Sequence, residues 1–283
     1  MNPLDAAARV DAHHHVWRLE RGDYGWLTQA DHPKIAHDFL PADLEPLLSA
    51  ARIDKTILVQ AAPTEAETSF LLDLADKSPL VAGVVGWIDF DASDAPARVA
   101  RRAGKGKLVG LRPMMQDLPD DEWMLRPDLA RVIDAMQRGN LCFDALVKPR
   151  HLPALAEFLD RYPDLSVVID HGAKPDIARG GVEPWSTTIR HIAGNSTAFC
   201  KVSGLATEAG PNWSAETLKP YVDVLLESFG ASRLMWGSDW PVLLEAGDYE
   251  RWLDAATLLT SGLSAQDRAL IFGGTAATFY GIE

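Results

Sequence analysis

Short runs of apolar and β-branched residues recur along the whole chain and alternate with segments whose apolar residues are spaced as on one helix face. The runs predict eight strands, at residues 9–13, 56–60, 81–87, 107–113, 141–147, 165–171, 198–204 and 233–239. Helical spacing (i, i+3, i+4, i+7) links Leu44, Leu47, Leu48 and Ala51, and a similar stripe precedes the last strand, with Leu218, Tyr221, Val222, Leu225 and Phe229. This alternation is typical of a parallel sheet covered by helices.

The strand spacing predicts how the sheet closes. After the first interval the strand starts are about 24 to 35 residues apart, which is one strand–helix unit each, and eight units close a (β/α)8, or TIM, barrel. A doubly wound open sheet would need a glycine-rich turn after an early strand, whereas the segment GKGKLVG precedes a strand. The length of 283 residues alone also permits two domains. The pattern predicts an α/β fold with a single barrel domain over residues 1–283.

The first interval is longer than the others, about 40 residues, and it is rich in aromatic side chains. A long loop at the carboxyl end of a barrel strand lies where substrates bind, and it can act as a lid. Aromatic faces there suit a hydroxylated ring, although packing inside the loop is the alternative for each of them. The aromatic residues expected near the rim are Trp17, Tyr24, Trp26, Trp87 and Trp240.

Composition narrows the partners and the compartment. Lys and Arg number 27 against 40 Asp and Glu, a formal charge of −13, which argues against nucleic acid and anionic membranes as partners. We find neither a signal-peptide pattern nor an apolar run of about 20 residues, so we expect a cytoplasmic protein. The two cysteines, Cys142 and Cys200, lie in strand runs without metal spacing and are expected in the core.

Histidines cluster at the end of the first predicted strand, in DAHHHVW. Side chains alternate along a strand, so His13 and His15 point to one side and His14 to the other. Two neighbouring imidazoles at the end of a barrel strand can ligate a metal or hold an oxyanion. A polar loop whose histidines meet water is the alternative.

Two later strands end in further polar residues. In VVIDHGAKP, His171 shares a face with Ile169, while Asp170 takes the other face, and His171 reaches the rim with Lys174. In MWGSDWP, Asp239 follows the eighth strand and can take a proton from water or ligate a metal. Each has a structural alternative, a capped turn for either residue. Convergence of His13, His15, His171 and Asp239 on one barrel mouth favours a functional site.

The ordered motifs DAHHHVW, GLRPMMQD, FDALVKPRHLP, VIDHGAKP, CKVSGLATEA, RLMWGSDWPV and GGTAATFY resemble the amidohydrolase superfamily over almost the entire chain. Within it they resemble the sugar lactonase branch that contains L-fuconolactonases and L-rhamnonolactonases. The resemblance implies a lactone hydrolase in which Asp239 is the general base and His13, His15 and His171 polarise the carbonyl or hold a metal. It also implies that Arg112 binds substrate.

Departures from the wider superfamily bear on the metal. Dinuclear members carry a modified lysine at the end of strand four and mononuclear zinc members a histidine at the end of strand five, where this chain has Arg112 and Lys148. His13, His15, His171 and Asp239 can still supply ligands for one zinc ion, but the cationic Lys148 would disfavour it. We therefore expect catalysis without a required cofactor. Trp26, Trp240 and Lys148 join Arg112 as expected substrate-binding residues.

Three functions remain open from the sequence. The first is hydrolysis of a sugar 1,4- or 1,5-lactone by Asp-activated water. The second is a mononuclear zinc hydrolase or decarboxylase acting on a carboxylated muconate- or pyrone-type substrate. The third is a barrel that binds a sugar acid or a protein without catalysis. The small-molecule lactone is the expected partner, and the sequence leaves the oligomeric state open.

Overall fold

The computed structural model describes residues 8–282, which contain eight strands in one parallel sheet with the order β1 to β8. Every predicted strand is present, and most are shorter than the apolar run that predicted them. Their bounds are Val10–His14 (β1), Lys55–Val59 (β2), Val81–Gly86 (β3), Leu108–Leu111 (β4), Cys142–Ala145 (β5), Val167–Ile169 (β6), Phe199–Val202 (β7) and Leu234–Trp236 (β8).

Backbone hydrogen bonds close the sheet between its first and last strands. The Asp239 N–H donates to the His13 carbonyl over 2.7 Å, and the His15 N–H donates to the Trp240 carbonyl over 2.6 Å. These bonds join the residues that follow β8 to the end of β1. The fold is therefore the predicted (β/α)8 barrel.

Helices connect the strands, and those before the last helix lie on the outside of the barrel. They are Pro41–Ala51 (α1), Glu65–Ala75 (α2), Ala95–Arg102 (α3), Ala130–Arg138 (α4), Leu152–Arg161 (α5), Trp185–Asn195 (α6), Leu205–Ala209 (α7), Ala215–Phe229 (α8), Tyr249–Leu259 (α9), Ala265–Ala269 (α10) and Thr275–Tyr280 (α11). The two helical stripes seen in the sequence fall on α1 and α8. Short 3₁₀ turns lie at 19–21, 115–117, 123–125, 127–129, 149–151, 170–173, 177–179, 231–233 and 242–245, and a π turn lies at 270–274.

The barrel interior is apolar towards one end. Its buried cluster includes Val10, Ile57 and Val168 from the strands and Phe279 and Tyr280 from α11, so the last helix plugs the end where the strands begin. Both cysteines are buried and free, as expected for core residues. Among residues 8–282, no helix is long and apolar enough to cross a membrane.

Candidate active site

The three histidines at the end of β1 and just after it take the predicted sides. Nε2 of His13 and Nε2 of His15 lie 3.2 Å apart, whereas Nε2 of His14 contacts the Thr56 hydroxyl at 2.9 Å. The pairing of β1 with β2 shifts register between Asp11 and His14, so the strand is irregular where these imidazoles begin. Nδ1 of His15 lies 2.8 Å from the Val59 carbonyl oxygen, which fixes its ring.

Asp239 lies at the centre of three imidazoles. Its Oδ1 atom is 3.3 Å from Nε2 of His15, 3.6 Å from Nε2 of His13 and 3.9 Å from Nε2 of His171. Among the described residues, this buried oxygen has no hydrogen-bond partner. Burial opposes ionisation, but the contacts with His171, His15 and His13 outweigh it and hold the pKa of Asp239 below its ordinary value. Asp239 is therefore ionised and has a free acceptor oxygen.

The backbone around Asp239 is built for close approach. Asp239 has φ of +58°, a left-handed conformation that is costly outside glycine, of the order of 1 to 3 kcal/mol. Two residues earlier, a Cβ on Gly237 would lie 2.7 Å from the Cβ of His13, so only glycine lets the ends of β8 and β1 pack this closely. Such strain concentrates at functional sites, where the surrounding structure holds it.

His171 reaches the same point by a different route from the one predicted. The expectation that Asp170 faces away from His171 is wrong. β6 ends at Ile169, and His171 and Gly172 have left-handed φ values of +55° and +58°, so strand alternation stops before Asp170. Both side chains therefore enter the barrel. Nδ1 of His171 lies 2.8 Å from the Ser203 hydroxyl, and burial lowers the pKa of His171 to about 4, so its ring is neutral at pH 7.

Below the histidines lies a buried ionic cluster that the sequence interpretation missed. Nζ of Lys201 is 2.5 Å from Oδ2 of Asp144, 3.0 Å from Oδ1 of Asp170 and 3.2 Å from Nδ1 of His13. The Tyr280 hydroxyl donates to Oδ2 of Asp144 over 2.7 Å. Burial by itself would lower the pKa of Lys201, but Asp144 and Asp170 outweigh it and raise that pKa. The available signal was a charged residue in the middle of each apolar run, LCFDALV and AFCKVSG.

Arg112 joins this cluster to the site. Its guanidinium is 3% exposed, and NH1 lies 3.1 Å from Oδ2 of Asp170 and 3.4 Å from Nε2 of His13. NH2 donates to the Gln60 carbonyl oxygen. The cations that contact the site histidines are thus Arg112 and Lys201. Within residues 8–282, Lys148 makes no hydrogen bond or ion pair with these histidines; its backbone N–H donates to Nδ1 of His151 over 2.9 Å.

Some of the expected aromatic residues are buried in the core, and others are partly exposed. Trp240 is 2% exposed and packs edge-on against Phe39, with ring centroids 5.1 Å apart, and Trp17 is fully buried. Tyr24 is buried as well. Trp26 is only partly buried, and its indole N–H donates to the Ala61 carbonyl over 2.9 Å. Of these first-loop aromatics, Trp26 is the one that is partly exposed.

A cavity of about 440 Å³ opens beside Trp26, between the loops that follow β1 to β4. Pro113, which follows Arg112 in the chain, also lines it. Its walls combine three indoles with four carboxylates, contributed by Trp26, Trp87, Trp123, Asp23, Asp89, Asp91 and Asp117.

Half of these carboxylates are neutralised. Asp23 pairs with Arg21 at 2.7 Å, and Asp91 pairs with Arg126 at 2.8 Å. Asp117 and Asp89 have no ion pair among residues 8–282. The cavity therefore keeps negative charge beside apolar ring faces.

The donor set fits one divalent cation. One ligand atom each from His13, His15 and Asp239 lie within 4.8 Å of one another, and His13, Asp170 and His171 form a second such group. The pKa of His13 is held well below its usual value, chiefly by burial, so its ring is neutral at pH 7 and keeps a lone pair. The orphaned Asp239 oxygen completes the set. Arg112, 3.4 Å from Nε2 of His13, opposes a further positive charge at this point.

Comparisons with known proteins show the family to which the chain belongs. The sequence model of the family described as Amidohydrolase matches residues 10–282. A protein named L-fucono-1,5-lactonase, from Burkholderia ambifaria, is 47% identical over 97% of this chain and 96% of its own length. Another of that name, from Burkholderia multivorans, is 36% identical over 98% of this chain and 97% of its own. A crystal structure described as an amidohydrolase from Burkholderia multivorans with bound zinc covers 98% of this chain and 100% of its own, with 37% identity and a TM-score of 0.92.

Proposed function

The chain belongs to the amidohydrolase family, and from this premise we propose that it is a lactonase that opens neutral sugar lactones to their sugar acids. The observation that carries the proposal is the ionised, unpartnered Oδ1 atom of Asp239 among the imidazoles of His13, His15 and His171. Lactone hydrolysis requires an activated water and a stabilised oxyanion. Asp239 is placed to supply the first, and the groups around it the second.

In this mechanism Asp239 accepts a proton from water as the water attacks the lactone carbonyl carbon. N–H groups of His13 and Arg112 stabilise the oxyanion that develops on the carbonyl oxygen. His171 positions the lactone so that the face of its carbonyl group that water attacks lies towards Asp239. The ring oxygen then leaves as an alkoxide and takes the proton that Asp239 accepted from water, which restores the Asp239 carboxylate and yields the open hydroxy acid.

The cavity supports a neutral, hydroxylated substrate. Indole faces such as those of Trp26 and Trp87 can pack against the C–H groups of a sugar ring, and carboxylates such as Asp117 can accept hydrogen bonds from its hydroxyl groups. The same carboxylates repel the muconate- or pyrone-type acids of the alternative hypothesis. The relatives named L-fucono-1,5-lactonase favour an aldono-1,5-lactone within this class. Lys148 and Trp240 remain proposed contacts at the rim.

We further propose that a metal is not required. If bound, one zinc ion would be held by His13, His15 and Asp239, with His171 nearby, and it would polarise the lactone carbonyl. Arg112 already supplies a positive charge at that position, so the chain's own groups can provide the same stabilisation. These side chains can then bind zinc, but the reaction does not require it.

A pH-indicator assay of the purified protein over aldono-1,4-lactones, aldono-1,5-lactones and acidic lactones tests the proposed function. We expect turnover of neutral sugar lactones and little turnover of dicarboxylates. Decarboxylation or hydrolysis limited to acidic substrates would favour the alternative. Stabilisation by a sugar acid with no turnover anywhere would indicate a binding protein.

Gly204 provides a test of the placement of His171. Gly204 has φ of +66°, and a Cβ there would lie 2.6 Å from Nδ1 of His171. Gly204→Ala should displace this ring from Asp239 and lower kcat/KM by about a hundredfold, the effect of misplacing a reacting group by about 1 Å. Steady-state kinetics measure it.

Gly180→Ala is the matched control, because Gly180 has φ of +71° and a Cβ added there would have no atom within 4 Å. It carries the same backbone strain without touching the site. We expect it to lose some stability and to keep kcat/KM. Equal losses of activity in both variants would remove the support for the His171 contact.

The charge of the cavity predicts selectivity. Asp117→Asn removes an unpaired carboxylate and should raise kcat/KM for an acidic lactone relative to a neutral one by about two- to fivefold, the effect of about 0.5 to 1 kcal/mol between partly exposed charges. Asp164→Asn changes the net charge equally, on the loop after α5 that leads to the start of β6, and should leave the ratio unchanged. An unchanged ratio in Asp117→Asn would show that this cavity does not face the substrate.

A further inference from the structure

We infer that Lys201 sets the tautomer of His13, placing the ring proton on Nε2, and that it thereby keeps His13 a hydrogen-bond donor and disfavours its use as a metal ligand. Lys201 is fully buried beneath the site and does not contact the reacting atoms in this arrangement. It acts through His13 and is a positioning residue.

The Lys201 ammonium lies against three acceptor atoms, two of them in hydrogen-bond geometry (on Asp144 and His13) and the third, on Asp170, as an ion pair. Oδ2 of Asp144, Oδ1 of Asp170 and Nδ1 of His13 lie 2.5, 3.0 and 3.2 Å from Nζ. An ammonium group donates and cannot accept. Nδ1 of His13 must therefore offer its lone pair to Lys201, and a neutral imidazole then carries its proton on Nε2.

The neighbouring ring, that of His15, can accept a hydrogen bond from His13. Nδ1 of His15 lies 2.8 Å from the Val59 carbonyl oxygen, which only accepts, so Nδ1 of His15 carries a proton and the neutral form of this ring has its lone pair on Nε2. Nε2 of His13 is 3.2 Å away from that lone pair. A proton on Nε2 of His13 makes this contact a hydrogen bond. The chain of donors then runs from Lys201 through His13 to His15, while NH1 of Arg112, 3.4 Å from the same Nε2, donates to Asp170.

The other tautomer makes poorer contacts. Nδ1–H of His13 would donate to Oδ1 of Asp170 at 3.4 Å, and Nε2 would accept from Arg112 at 3.4 Å. Two lone pairs, on Nε2 of His13 and Nε2 of His15, would then face each other at 3.2 Å. That arrangement suits a cation between them. Lys201 therefore favours one tautomer of His13, and a bound metal favours the other.

The end of the chain supports Lys201 in this role. The Tyr280 hydroxyl on α11 donates to the same Asp144 oxygen that accepts from Lys201, over 2.7 Å. The plug of the barrel is thus connected through Asp144 and Lys201 to His13. The catalytic consequence, that Nε2–H of His13 faces the developing oxyanion, rests on the proposed function; the tautomer itself does not.

Long-range ¹H–¹⁵N correlation spectra of the zinc-free protein with ¹⁵N-labelled histidine test the inference, with His13→Gln used to assign the His13 signals. We expect the Nε2–H tautomer for His13 in the zinc-free protein and its conversion to Nδ1–H when zinc is added. Nδ1–H in the zinc-free protein would overturn the inference, whatever the lactone assay shows. The tautomer is read from the natural chain, and the His13→Gln variant serves only to assign its signals.

Lys201→Met combined with Asp144→Asn removes the ammonium together with one buried carboxylate, so the charge of the cluster is preserved. We expect the His13 proton to move to Nδ1 in zinc-free protein and the dissociation constant for zinc to fall at least about tenfold, or 1.4 kcal/mol. Tyr280→Phe is the control, because it alters the same carboxylate but leaves Lys201, and it should keep both properties. An unchanged tautomer and zinc affinity in the folded double variant would contradict the role of Lys201.

Discussion

Asp239→Asn should lower kcat for a neutral sugar lactone by about 10² to 10⁴, the range for loss of a general base, while KM should change little. The amide has nearly the same shape, but it cannot accept a proton from water. The backbone N–H of residue 239 still donates to the His13 carbonyl, so the barrel closure is retained. Steady-state kinetics and a thermal unfolding curve measure the two effects separately.

Asp254→Asn, on α9, is the matched control for this substitution, because Asp254 is exposed on the outer surface. It should leave kcat and KM unchanged. Asp239→Asn with a normal kcat would show that another group activates the water. If Asp239→Asn loses its folded structure, its kinetics do not test the role of Asp239. The site is then tested by Gly204→Ala, whose smaller effect has its own control.

Arg112→Met should reduce the free energy of unfolding by about 3 to 5 kcal/mol, the usual cost of removing one partner from a buried ion pair. Methionine fills most of the space, but Asp170 loses a guanidinium contact of 3.1 Å in a site where its side chain is fully buried. The Gln60 carbonyl also loses a donor. Denaturant unfolding followed by tryptophan fluorescence and circular dichroism measures the loss, independently of any role in substrate binding.

Arg126→Met is the comparison for Arg112→Met. Arg126 also pairs with carboxylates, Asp91 at 2.8 Å and Asp128, but its side chain is 36% exposed. Solvent screens such pairs, and a change of at most about 1 kcal/mol is expected. Equal losses in the two variants would mean that Arg112 is not held in a buried ionic cluster.

Much of the fold followed from local patterns. Each strand of a parallel barrel is buried on both faces, so its apolar run stands out in the sequence. The expected convergence of His13, His15, His171 and Asp239 depended on one geometric fact, that all strands of the barrel end at the same mouth. The structure brings those four side chains together within hydrogen-bond or near-contact distances.

What the sequence did not reveal is non-local. Lys201 and Asp144 lie in apolar runs on different strands, and only the closed barrel brings them to within 2.5 Å. Asp170 was assigned to the wrong face because strand alternation was extended past Ile169, into left-handed residues that the sequence does not mark. Similarly, the sequence cannot distinguish Trp240, packed against Phe39, from Trp26 on the cavity wall.

The ionic cluster changes the interpretation of the metal question. The sequence pointed to Lys148 as the charge that would oppose a cation, whereas Arg112 and Lys201 contact His13. The same histidines can thus hold zinc or donate hydrogen bonds, depending on where one proton lies. A zinc ion in a relative's crystal structure is compatible with either reaction chemistry.

Lactone turnover by the protein after its zinc has been removed is the decisive measurement. The protein is stripped of zinc with a strong chelator, its metal content is determined by elemental analysis, and kcat/KM for L-fucono-1,5-lactone is measured before and after zinc is restored. We expect the stripped protein to retain its full kcat/KM, because Asp239 and its neighbouring N–H groups perform the reaction. Turnover that vanishes on stripping and returns only with stoichiometric zinc would contradict this, and would make His13, His15 and Asp239 metal ligands in the working enzyme.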